Sequence, residues 1–211
     1  MMGSLLQGGL ALLLVVTGAG AAATAASTAA VATGAQAAPA PSQPPLRLDA
    51  AHSTVRFEFR QAGAATQGRF GRLSGSLQPG AAQPGTLDVA VDVASVDTGD
   101  AERDGLLRGP DLFDAQRHPV ARYRVTRLAA ANADAEVILD GTLTLRGVSR
   151  PLRIAAQLAV TGTGSARTAT LTGTTIIRRL DVGVGQGEWA STQWIANEVR
   201  VSFHLLMKAA P

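Results

Sequence analysis

The chain has no cysteine and a single lysine, Lys208. The first absence excludes disulfides, thiolate metal sites, a cysteine nucleophile and a lipid-modified N-terminal cysteine. It leaves the compartment open, because exported proteins often carry no disulfide. Aromatic residues make up only 4% of the 211 residues. Long hydrophobic runs are missing as well: the strongest, Leu10 to Val16, is far short of the roughly 20 residues of a spanning helix. The formal charge of +3 comes largely from arginines placed singly, such as Arg56, Arg60, Arg122, Arg124, Arg153 and Arg200. Such spacing describes a solvated surface rather than a basic footprint for nucleic acid. The one aromatic-basic stretch, "QGRFGRLSG" (Gln67 to Gly75), lacks the further aromatics that would stack bases. No nucleic-acid partner is expected.

Charge is absent altogether before Arg47. There "LALLLVVTGAGAAA" (Leu10 to Ala23) combines a short apolar core with small residues, the pattern of a secretory signal, although the usual basic residues ahead of the core are missing. Residues 1–23 are therefore read as a signal peptide, with cleavage as late as residue 37 also compatible. Residues 24–45 are an Ala/Thr/Pro tether with too little bulky apolar surface to offset its ordering entropy. This division predicts a periplasmic or secreted protein with no stable membrane span after cleavage, and a folded domain over 46–211.

The domain repeats one theme, alternation of period two. Val55, Phe57 and Phe59 alternate with Thr54, Arg56, Glu58 and Arg60, and Leu87, Val89, Val91 and Val93 with Asp88, Ala90 and Asp92. The same holds over residues 137–145, 154–160 and 199–205, so each strand has one apolar and one wet face. With 68–77, 121–128 and 168–179, about eight long strands result, and Leu46 to Leu48 adds a short lead-in. Turn signals at 78–85, 131–134, 147–151 and 161–166 separate them. Long strands joined by short turns favour an up-and-down antiparallel barrel, which leaves no exposed edge. The interruption is "SVDTGDAERDGLLRGPDLFD" (Ser95 to Asp114), where Gly99 to Arg108 can form a short helix across one mouth, with Asp97 and Thr98 as candidate N-caps. Gly71 and Gly75 mark a sharp bend.

Chemistry is sparsely signalled. There is no G-x-S-x-G elbow, and His52, His118 and His204 are too far apart to suggest a metal site. No catalytic residue and no cofactor is expected. The carboxylates of Asp97, Asp100, Glu102, Asp104, Asp111 and Asp114 are interleaved with Arg103 and Arg108, which suits capping and ion pairing. A lipid-modifying enzyme using them remains the rival reading. The inward parity is apolar, thinned by Gly141, Ala156 and Gly173. An eight-stranded barrel can either fill such an interior or hold one small ligand; a filled barrel acting through its surface stays open as an alternative.

"LDAAHSTVRFEFR" (Leu48 to Arg60), "GRFGRLSGSL" (Gly68 to Leu77), "DVASVDTGDAERDGLLRGPDLFDAQRHPVARY" (Asp92 to Tyr123) and "GTLTLRGVSRPLRI" (Gly141 to Ile154) resemble the YceI family. The resemblance spans about Leu48 to Met207. It implies an all-β, eight-stranded lipocalin-like barrel, usually periplasmic, whose apolar tunnel holds a polyisoprenoid or a related lipid such as a quinone or prenyl phosphate, with no established catalytic activity. The family pattern usually has His where Leu106 and Arg146 stand, and Phe at Leu112. On this reading the tunnel is lined by Val55, Phe57, Phe59, Val89, Val91, Val93, Phe113, Tyr123, Val125, Leu143, Leu145, Ile154, Leu158, Val201 and Phe203. Asp97, Thr98, Arg103, Asp104 and Arg108 form the mouth, where the two arginines could meet an anionic head group. Trp189 and Trp194 could close over one end, and the protein is expected to be a monomer or homodimer.

Overall fold

The computed structural model describes residues 44–80, 85–130 and 135–209. The leader, most of the tether and the turn residues 81–84 and 131–134 lie outside the described residues. Strands begin at β1 (Leu46–Leu48), β2 (Thr54–Gln61), β3 (Ala64–Phe70), β4 (Leu73–Gln78), β5 (Gly85–Asp92) and β6 (Val96–Asp97). After the helix α1 (Ala101–Arg108) come β7 (Val120–Ala130), β8 (Glu136–Leu145), β9 (Val148–Thr161), β10 (Thr168–Arg178) and β11 (Glu198–Ala209).

The pairings reduce these pieces to eight barrel positions. The end of β11 pairs with β1 (Met207 opposite Leu48) and its middle with β2 (Phe203 opposite Val55), so β1 and β2 are one staff of the barrel. A 3-10 turn at Ala50–His52, capped by Asp49, separates them. In the same way β3 and β4 are one staff bent at Gly71, and β5 and β6 are one staff broken by a turn at Val93–Ser95. Each staff pairs antiparallel with its neighbour in sequence, and the β1–β11 pairing closes the ring. The up-and-down topology is as the alternation predicts, and the bend at Gly71 is as that glycine predicts. Gly75 serves close packing instead of the bend. A Cβ there would stand 2.5 Å from the Asp88 carbonyl, so the glycine permits close approach of β4 to β5.

Two local expectations are corrected. The turn expected over Gly147 to Pro151 is a tight hairpin at Arg146–Gly147, both with positive φ, and β9 already begins at Val148. The helix is capped by Asp100, whose carboxylate accepts from the Arg103 backbone N–H at 3.0 Å, and not by Asp97 or Thr98. Asp97 is taken by the Gly99 N–H and by Arg69, at 3.0 and 2.8 Å. The ion-paired guanidinium holds the Asp97 carboxyl below the usual range.

The core divides along the barrel axis. In the closed half Leu46, Leu139, Leu171 and Met207 are almost completely buried. In the half carrying α1, Phe57, Phe59, Leu107, Phe113, Val182 and Ile195 pack together. The Phe57 ring stacks towards Phe59 and tilts onto Phe70, which meets Phe113 at 5.8 Å between centroids.

Candidate functional site

Two apolar cavities lie end to end inside the barrel. The outer one, of about 200 Å³, is lined by the phenylalanine cluster, by α1 and by the loop after β10. The inner one, of about 110 Å³, is lined by Val89, Tyr123, Ile154, Leu171 and Phe203 among others. Val55, Val91, Ala121, Leu143, Ile177 and Val201 touch both. The interior is thus not filled by its own side chains.

Twelve of the fifteen expected tunnel residues stand on these walls. Val55, Val91, Leu143 and Val201 line both cavities, while Phe57, Phe59, Phe113 and Leu145 line the outer one. Val89, Tyr123, Ile154 and Phe203 line the inner one. Val93, Val125 and Leu158 do not line either cavity. Val93 and Val125 are packed at 0% and 1% exposure, and Leu158 leans on the closed-half core. Val93 is drawn aside by the turn that breaks the β5–β6 staff. Val125 adjoins a bulge between β7 and β8 that shifts the register beyond it.

The polar groups at these walls are few and mostly spent. The Tyr123 hydroxyl lies 3.0 Å from both the Leu139 and Leu152 carbonyls and shares its one proton between them. Burial, with the Asp140 charge nearby, pushes its ionisation upward, so the phenol stays a donor. Arg179 is buried at 5% exposure and has no ion pair among the described residues. Its guanidinium donates instead to the carbonyls of Val184, Trp189, Ser191, Ile195 and Ala196, at 2.7 to 3.2 Å. All five donors of the fork are used. Burial lowers its pKa, yet the side chain remains the hub on which residues 184–196 are folded. The sequence showed only an arginine beside another in "RRLD"; nothing local marks it as buried.

The mouth residues separate into two kinds. Arg108 donates to the Ala94 and Val96 carbonyls, both at 2.9 Å, and so ties α1 to the β5–β6 break. Asp104 is buried and accepts from the Thr98 N–H and hydroxyl at 2.9 and 2.7 Å. Asp97, Thr98, Asp104 and Arg108 are therefore joints of the loop and do not line the cavities. Arg103 alone of the five reaches the outer cavity, with a 3.3 Å ion pair to Asp100. Arg146, where the family pattern usually has histidine, donates to the Pro110 carbonyl at 2.6 Å and ties the β8–β9 hairpin to the mouth. Trp189 lines the outer cavity as expected, whereas Trp194 points to solvent at 69% exposure. Replacing Asp104 with asparagine keeps the one oxygen that accepts from both Thr98 donors but removes the charge and turns an amide towards Arg108, which lies 4.0 Å from the other carboxylate oxygen. The expected loss is about 1–2 kcal/mol, read as a lower urea midpoint. A retained midpoint with altered lipid chemistry would instead favour the enzymatic rival.

A closed antiparallel barrel with an apolar interior and a helix at one mouth defines a lipocalin-like protein. The YceI-like domain model matches residues 46–207, and the chain belongs to that family. It is 33% identical over 142 residues to a UPF0312 protein of Shewanella sp. (strain W3-18-1), covering 64% of this chain and 73% of that protein. Among solved structures, Burkholderia cenocepacia BcnA superposes with a TM-score of 0.68 at 32% identity, over 75% of this chain and 98% of that one. A polyisoprenoid binding domain from Saccharophagus degradans superposes with a TM-score of 0.63, at 24% identity, over 80% of this chain and all of that one, and shares the fold.

Proposed function

We propose that the barrel binds a polyisoprenoid or similar long-chain amphiphile and carries it outside the cytoplasm, without changing it chemically. The observation that carries this reading is the pair of adjoining cavities, walled almost wholly by carbon. A dry tube of that kind suits an extended hydrocarbon and offers nothing to a sugar or nucleotide. Each cavity is smaller than the roughly 300–1,000 Å³ of common ligand pockets, so a long chain would run through both. Each methylene moved from water gains about 0.8 kcal/mol before ordering costs. The polyisoprenoid binding domain that shares the fold supports the ligand class, and the signal-like leader supports the periplasmic setting. Arg103 is the mouth group left to meet a prenyl phosphate or quinone head; Arg108 is withdrawn from that role by its backbone carbonyls.

The enzymatic rival draws no support from the mouth. Asp97, Asp100 and Asp104 are held by hydrogen bonds from the loop and helix, and none of them faces the cavities. Native mass spectrometry of the full chain, purified from bacteria without detergent and then extracted with organic solvent, tests the proposal. The expected result is a stoichiometric prenyl or acyl lipid. A protein that stays unliganded when offered prenol, prenyl phosphate and quinone would overturn it.

A further inference from the structure

One ladder of the barrel is incomplete. β9 and β10 pair from Thr161 opposite Thr168 as far as Ala156 opposite Gly173. Beyond that point Pro151–Ala155 and Thr174–Arg178 are both still strand, yet no pairing joins them. Neither strand is fraying. β9 stays paired to β8 as far as Val148, and β10 stays paired to β11 as far as Arg178. The wall is therefore split between two otherwise intact strands. At the mouth end the split is closed by the Arg179–Val182 turn, followed by Gly183, where a Cβ would stand 3.2 Å from the Val148 side chain. Five residue positions on each lip give a slot about 16 Å long.

The sequence supplies one physical reason for the split: Pro151 has no N–H to give to a ladder.

The slot leads to the hydrocarbon cavity. Leu152 and Ile154 on one lip, and Thr175 and Ile177 on the other, line the inner chamber, and Ile177 continues into the outer one. On the outside Ile176 is 43% exposed, an apolar residue on the lip itself. The mouth, by contrast, is tied by Arg108, Arg146 and the five bonds of Arg179. Widening the mouth must break such bonds, each worth about 0.5–1.5 kcal/mol and more for charged donors. Widening the slot breaks no ladder bond, because none is formed there.

We infer that the slot between β9 and β10 is a lateral gate through which an apolar chain enters and leaves the barrel. The inference rests on the lipid-binding reading above and specifies its route. The absence of cysteine makes the test clean. Arg153 and Ile176 would face each other if the ladder continued in register, so the double variant Arg153→Cys/Ile176→Cys, once oxidised, draws the lips together. Uptake and release of a dansyl-labelled long-chain prenol are followed by stopped flow, with the disulfide verified by mass. The expected result is at least tenfold slower uptake and release in the oxidised protein, restored by reductant. Rates that ignore the disulfide overturn the gate alone. A wild type that takes up no probe overturns the lipid reading and the gate with it. Amide exchange on the unaltered protein gives an answer even if the cysteines fail to join. The slot-facing amides of 152–155 and 174–177 should exchange at least tenfold faster than those of 156–160 and 169–173; equal protection means a closed wall and overturns the gate.

Discussion

Arg179→Met will lower the stability of the domain by about 3–5 kcal/mol. Methionine keeps much of the volume but donates nothing, so the carbonyls of Val184, Trp189, Ser191, Ile195 and Ala196 lose their shared partner in a buried setting. Backbone acceptors taken out of water without a donor each cost on the order of 1–3 kcal/mol, and partial access of water reduces the sum. Gly185 shows how tightly the guanidinium is enclosed: it sits at φ +105 with no room for a Cβ against Arg179. Arg179→Lys keeps the charge but brings three donors in place of the planar fork, so its loss should be intermediate. Urea midpoints of the three proteins, with amide exchange over 184–196, check the ranking. A methionine variant as stable as the wild type would mean that this arginine does not hold the loop.

Ala121→Phe will weaken lipid binding at least tenfold, about 1.4 kcal/mol, while leaving the barrel folded. Ala121 lies on β7 and touches both cavities, so a benzyl group there crosses the junction a long chain must pass. The change also tests the void itself. In a filled interior the added ring would overpack and cost about 1–3 kcal/mol of stability. In the cavity described here it occupies empty space, and stability holds or rises. Occupancy of co-purifying lipid and the thermal midpoint, measured on the same sample, separate the two. Lost stability with unchanged lipid would place the ligand elsewhere.

Much of the barrel was legible because strand parity is a local property. Val55, Phe57 and Phe59 could point to only one side of β2, and that side had to be the inside of a closed sheet. Parity does not report depth along the axis or the effect of a break. For that reason Val93 and Val125 read as tunnel walls and are packed away from it, displaced by the turn after β5 and by the register shift beyond Val125. The mouth was legible as a loop locked by acids and arginines. Which carboxylate capped the helix depended on competition from Arg69, a residue 28 positions away from Asp97.

By itself, then, the sequence determined the strand alternation, the number of barrel staffs, the helix at the mouth and the apolar character of the interior, all of which follow from residue periods of two and from turn chemistry. Only the tertiary structure decided that Arg179 is a buried hub, that Arg108 is a tie rather than an open cation, and that the wall between β9 and β10 is split. Each of these depends on hydrogen-bond partners brought from distant parts of the chain, or on a pairing that fails to form. The distant partners leave no mark on the local pattern of residues, and the failed pairing leaves only Pro151, which does not by itself say which neighbouring strand goes unpaired.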